Sequence, residues 1–205
     1  SFYEIKHHPV DVLKGLERIG NEKMADAIRA LGIPIQQGSI QDADFVNDLV
    51  QGMDAVVHTA GLSSPWGKFD AFYQTNVVGT RRVVEACIAN QVKRLVHVST
   101  PSLYVKNMDC VDIRESDPLP SEFVNAYAQT KYLAELEVLK GRKSGLDTVM
   151  IRPRALIGAG DTVIMPRLLR AHEAGRLRLI GDGKNKVDMT SVINVCHAIE
   201  LGLKA

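Results

Sequence analysis

The chain has 205 residues, a formal net charge of +1, 45% hydrophobic residues and 24% charged residues. That length suits one ordinary domain with part of a second, and it is enough to bury a sizeable core. The near-zero charge argues against a broad nucleic-acid or membrane-surface footprint, no apolar run approaches the ~20 residues that cross a bilayer, and no signal peptide is expected at the start. Cys87, Cys110 and Cys196 form no CxxC pattern. Their odd number and wide spacing read as reduced thiols, which points to the cytoplasm. The six histidines lack metal-ligand spacing, so no metal site is expected. His7 and His8 read as a surface pair, and His58 and His97 as packed residues inside strand-like runs.

In chain order, the first twenty residues are irregular, with room for a short strand within 12–16. Asn21 reads as the cap of a helix through Leu31, ended by Gly32. Ile33, Pro34 and Ile35 read as a strand, residues 44–51 as a short helix, and residues 54–58 as a buried strand. A loop over 61–66 leads to a long helix over 69–90, with Val77, Val84 and Ile88 on one side. Residues 94–98 form a second buried strand, and 101–121 are turn-rich, with Pro101, Pro118 and Pro120. A helix follows from about Asn125, its Leu133, Leu136 and Leu139 at helical spacing and Gly141 as its C-cap. Residues 148–151 form another strand, Asp161 caps a helix running to Gly175, 177–180 form a short strand, and 191–204 a last helix. Strands alternating with helices of ten or more residues predict crossover connections, and so an α/β fold with a mostly parallel sheet.

One pair of residues carries the chemistry. Tyr127 and Lys131 stand four apart on a predicted helix and share a face. A free phenol titrates near pH ~10, and a neighbouring cation favours its ionised form. A Tyr beside a Lys therefore suits proton exchange with a ketone or an alcohol near neutral pH. A solvated helix face is the commoner fate of such a pair, so its surroundings decide. In an open α/β sheet, ligands bind beyond the C-terminal strand ends. His58-Thr59-Ala60-Gly61-Leu62 lies at one such end, Ser99-Thr100-Pro101-Ser102 at another and Arg152-Pro153-Arg154 at a third.

With Asn76-Val77-Val78-Gly79-Thr80 and the Tyr127–Lys131 pair, these stretches resemble the extended branch of the short-chain dehydrogenase/reductase superfamily, the epimerase/dehydratase family, over about residues 20–205. Within it, the stretch from Ala60 to Gly67 looks like the 3β-hydroxysteroid-dehydrogenase-like subgroup, which includes long-chain 2-alkyl-3-oxoalkanoate reductases. The resemblance implies a doubly wound, Rossmann-like sheet. It implies Tyr127 as acid/base, Lys131 on the nicotinamide ribose, Thr100 bonding the substrate oxygen with Ser99 as a possible substitute, and Asn76 in the catalytic set. Ala60, Gly61, Ile40, Ser39, Arg18 and Pro153 would line the cofactor site with Tyr127 and Lys131.

The family's G-x-x-G-x-x-G turn and first strand are expected to be absent from this chain, since Gly15, Gly20, Gly32 and Gly38 lack that spacing. Residues 1–155 are read as an incomplete dinucleotide-binding domain, and 156–205 as the start of a smaller substrate region. Glu17 and Arg18 stand where the cofactor ribose is recognised, and Arg18 tips the reading from NAD towards NADP. The expected activity is hydride exchange between a nicotinamide and an apolar ketone or alcohol, a 3-oxo acid or a steroid-like molecule. Val187 stands where sugar-nucleotide members carry Arg, which leaves an epimerase or dehydratase as the alternative; a non-catalytic dinucleotide-binding sensor or scaffold is the alternative of another kind. The family's habit implies a homodimer.

Overall fold

The computed structural model describes residues 28–205, apart from 65, 107, 109, 162, 163, 179, 180 and 185. Most of the helix expected from Asn21, the strand within 12–16, Arg18 and the His7–His8 pair therefore lie outside the described residues. Residues 28–30 are helical, and Gly32 follows at φ +73°. The expected strand at Ile33–Ile35 does not form, and only Gln37 makes a β-bridge. Pro34 explains this, because it has no N–H to donate to a ladder.

Helix α1 (Ala43–Val50) is capped by Asp42, whose carboxylate accepts from the Asp44 and Phe45 amides at 3.1 and 3.2 Å. It buries Val46, Leu49 and Val50. Strands β1 (Ala55–His58), β2 (Arg94–Val98) and β3 (Asp147–Ile151) form one parallel sheet in the order β1-β2-β3. The β1-to-β2 crossover is α2 (Phe69–Phe72), a π-helical stretch over Tyr73–Val78, and α3 (Gly79–Ala89). The β2-to-β3 crossover is a 3₁₀ turn (Pro101–Tyr104), a long loop, and α4 (Ala126–Lys143).

Alternation along β2 divides the two faces of the sheet. Leu95 joins Val46, Val83, Val84, Cys87 and Val138 in the core under α1, α3 and α4. On the other face Gly202, in α6 (Val192–Lys204), packs on Val96 and Val149, with a Cβ built there falling 3.5 and 3.3 Å from them. Helices thus cover both faces, the arrangement of a doubly wound sheet. A separate two-stranded parallel sheet pairs β4 (Leu156–Ile157) with β5 (Thr190–Ser191), and α5 (Met165–Glu173) lies between them in the chain. Asp161 accepts from the Ile164 and Met165 amides, but the N-cap position is Ile164, so α5 starts later than a cap at Asp161 predicts. Residues 177 and 178 are not in a strand.

Two expectations about helix faces change. Ile88 is 41% exposed, while Val77 and Val84 are buried. The α3 stripe runs through Thr80, Val83, Val84 and Cys87, and Ile88 lies one residue past it. Gly141 does not end α4, which continues to Lys143, with Gly145 at φ +95° beyond it. Gly141 is instead a contact: a Cβ there would fall 2.7 Å from Val84 Cγ1. Ala128, Ala134, Val138 and Gly141 take the buried face, and Leu133, Leu136 and Leu139 are half-buried.

Candidate active site

A cleft of about 560 Å³ opens beyond the C-terminal ends of the three strands. Thr59, Gly61 and Ser63 follow β1, Ser99, Thr100 and Ser102 follow β2, and Pro153 and Ala155 follow β3. Tyr127 and Lys131 enter from the first turns of α4, and the segment 156–161 closes one side. The volume is that of a small-molecule site.

Asn125 aims α4 at this cleft: its side chain caps the helix by accepting from the Ala128 amide at 2.8 Å. Tyr127 is half-buried. Lys131 is 5% exposed. Its ammonium donates to Val98 O at 2.8 Å and lies 3.5 Å from His97 Nε2. Burial pushes its pKa down to about 8, and the Glu135 carboxylate partly opposes that. An ammonium has three hydrogens, so one is left for the cleft.

Thr100 sits at the start of the 3₁₀ turn. Its oxygen accepts from the Ser102 amide at 3.2 Å, and its hydroxyl bonds Ser102 Oγ at 3.0 Å. Ser99 Oγ is buried with no partner among the described residues. Ser99, Thr100, Ser102 and Tyr127 thus line the same cleft. The sequence placed Ser102 in this strand-end stretch without a role, because the signal there was the Ser99-Thr100 pair.

Asn76 takes a different place. It is 1% exposed and does not line the cleft. Its Oδ1 accepts from the Leu62 amide at 2.7 Å, and its Nδ2 donates to Leu62 O and to Thr130 Oγ1, both at 3.1 Å. It ties the loop after β1 to α4. A Cβ on Gly61 would fall 3.3 Å from Asn76 Oδ1, so the loop backbone lies close to this side chain. Ala60 packs against the core, Ile40 is buried where a Gly79 Cβ would reach it at 2.8 Å, and Ser39 is exposed with its hydroxyl accepting from Gln41 N. None of these three lines the cleft. Arg152 grips Glu135 with two hydrogen bonds of 2.8 and 2.6 Å and also reaches the Tyr104 hydroxyl, which fixes the start of the 152–155 loop to α4 and the 3₁₀ turn.

A sequence profile of the 3-beta hydroxysteroid dehydrogenase/isomerase family matches residues 8–205. The chain belongs to this family. Among its relatives, a 2-alkyl-3-oxoalkanoate reductase of Stenotrophomonas maltophilia (strain K279a) is 37% identical over 200 residues, 94% of this chain and 61% of that protein. A 3beta-hydroxysteroid-dehydrogenase/decarboxylase, isoform 1, of Arabidopsis thaliana is 35% identical over 193 residues, 93% of this chain and 44% of that protein. The chain therefore spans about half to three fifths of these relatives. Among solved structures, the dTDP-glucose 4,6-dehydratase DesIV of Streptomyces venezuelae, with NAD and TYD bound, superposes with a TM-score of 0.82 at 29% identity, covering 95% of this chain and 62% of that one. The Rossmann-like fold of the family is thus the fold of this chain.

Proposed function

We propose that the protein is an NAD(P)-dependent oxidoreductase interconverting a ketone and a secondary alcohol on an apolar substrate, a 3-oxo acid or a steroid-like molecule. The observation that carries this reading is the gathering of Thr100, Ser102, Tyr127 and Lys131 around one cleft at the strand ends.

The donor set fits the nicotinamide half of a dinucleotide. Lys131 has one ammonium hydrogen left for a ribose hydroxyl, and the small residues Gly61 and Ala155 with Pro153 leave the walls open to a flat ring. When bound, the nicotinamide supplies or accepts the hydride. Tyr127 gives a proton to the ketone oxygen, or takes one from the alcohol. Thr100 and Ser102 spend one hydroxyl hydrogen on the bond between them, which leaves the other for the oxygen where negative charge develops, the place where a preorganised donor acts most strongly. NADP over NAD is part of the proposal through Arg18, as are a homodimer through the helices bearing Phe69 and Tyr127, the cytoplasm as its location, and a division into a dinucleotide part (1–155) and a substrate part (156–205).

The test is oxidation of NADPH and NADH with 2-alkyl-3-oxoalkanoates and 3-oxosteroids, in the wild type and in Tyr127→Phe. We expect turnover at least ~100-fold lower in the variant, the scale of losing a general acid. A near-normal rate refutes the assignment. The likeness to DesIV keeps a sugar-nucleotide reading as the second one, and turnover of dTDP- or UDP-sugars in place of oxo acids would install it. Dinucleotide binding without turnover of either class would mean a sensor.

A further inference from the structure

The proposed chemistry leaves unexplained two fully buried histidines behind Lys131. His58 and His97 are 1% and 0% exposed, are register partners on β1 and β2, and have ring centroids 4.9 Å apart. Their protonation follows from their neighbours. Thr80 Oγ1 lies 2.8 Å from His58 Nε2 and donates its own hydrogen to Asn76 O at 2.6 Å. That hydroxyl can therefore only accept from His58, which carries its hydrogen on Nε2. His97 Nε2 faces the Lys131 ammonium, which has hydrogens and no lone pair. His97 must present a lone pair there and carry its hydrogen on Nδ1.

We propose that His97 is a positioning residue for Lys131: as the neutral Nδ1–H tautomer it accepts one ammonium hydrogen, the Val98 carbonyl accepts a second, and the third is aimed into the cleft. The geometry behind this is a bracket. Lys131 reaches from α4 to the C-terminal end of β2, where His97 and Val98 supply a ring nitrogen and a carbonyl from consecutive residues. Such a bracket fixes the direction of a side chain that otherwise has four rotatable bonds. The groups acting on His97 keep it neutral. Burial and the Lys131 charge hold its pKa well below 6.5, with a smaller push from His58, while Glu135 acts on Lys131 from the same helix. His58, held at about 3 by burial and by Lys131, is neutral too, and its tautomer is the opposite one. The two rings thus offer one buried N–H, His97 Nδ1, and one buried lone pair, His58 Nδ1.

The inference rests on the reductase reading only for the purpose that Lys131 serves, so its test uses the protein without cofactor. Long-range ¹H–¹⁵N correlation reads each histidine tautomer. We expect Nδ1–H at His97 and Nε2–H at His58, and an Nε2–H tautomer or a charged ring at His97 near pH 7 overturns the proposal. The Lys131 midpoint, followed by ¹³C of the lysine side chain, is the second readout. His97→Phe removes the acceptor and should lower that midpoint by roughly half a unit to one unit, the three- to tenfold weight of one hydrogen bond. His97→Gln, which keeps an acceptor oxygen, should restore most of it. An unchanged midpoint in a folded His97→Phe overturns the proposal, and so does a midpoint in His97→Gln no closer to wild type than in His97→Phe. If Tyr127→Phe leaves turnover intact, the reductase reading fails while these outcomes stand.

Discussion

Replacing Asn76 separates two roles for it. In Asn76→Ala three hydrogen bonds disappear together: 2.7 Å from the Leu62 amide, 3.1 Å to Leu62 O and 3.1 Å to Thr130 Oγ1. Thr130 keeps its own bond to Ala126 O at 2.7 Å, so the unpaired groups are the amide and carbonyl of half-buried Leu62. At about 1 kcal/mol for each bond, the loss is about 3 kcal/mol. For a protein of this size, each kcal/mol shifts Tm by roughly 2–4 °C, so Tm should fall by about 6–12 °C. Asn76→Asp should fare no better: its carboxylate still accepts from Leu62 N, but it meets the Leu62 carbonyl as a second acceptor. Thermal unfolding by circular dichroism measures the effect. A fall below about 2 °C, under 1 kcal/mol by the same scale, would refute the clamp. Lost turnover with an unchanged Tm would move Asn76 into the chemistry instead.

Four more outcomes follow from the buried charges and the helix contact. Lys131 is held at about 8 against an ordinary 10.5. Between those values the unfolded chain holds a proton that the folded chain has released, so this group makes stability rise with pH across that window, by roughly 3 kcal/mol. The difference between wild-type and Lys131→Met stability curves from pH 7 to 11 should show it, and a flat difference would contradict the burial of the charge. Nicotinamide binding should weaken as pH rises through about 8, and an affinity constant from pH 6 to 10 would count against Lys131 as a ribose contact. Arg152→Leu strands the Glu135 carboxylate, whose side chain is 4% exposed, and should destabilise by about 3–5 kcal/mol in urea unfolding, with Glu135→Leu added in the double variant recovering much of it. Gly141→Ala should lower stability by about 1–3 kcal/mol despite alanine's better helix propensity, since its Cβ would fall 2.7 Å from Val84 Cγ1, and Val84→Ala should relieve that clash.

The sheet was legible because its signals are local. Residues 55–58, 94–98 and 147–151 are compact apolar runs, and the helices between them are long enough to force parallel crossovers. The cleft was legible in part for the same reason. Gly61, Thr100 and Pro153 lie just past strand ends, and Tyr127 and Lys131 share a helix face, so the topology alone brings them to one mouth. What sequence reasoning missed depends on contacts across the chain. Asn76 stood in the right helix, but only the fold shows its amide turned to Leu62 and Thr130. Gly141 looks like a helix end until Val84 is seen against it. His97 read as packing, which it is, yet its neighbour across the interior is an ammonium 34 residues further on.

The π-helical stretch sets a condition on the length of its helix. An i→i+5 turn holds one residue more than an α-turn. Shortening Tyr73–Val78 by one residue would let α2 and α3 run together as an uninterrupted α-helix, locally the better-bonded form. Forcing the stretch into α geometry with all six residues kept would instead turn everything before it by about 100° relative to α3. Phe72, 1% exposed and packed where a Gly67 Cβ would fall 2.8 Å from its ring, would swing out of the interior. The extra residue therefore works as a phase adjustment between two ends of one rod. One end is set by Phe72 and the other by Thr80, Val83 and Cys87, and the bulge lets both meet the core at once.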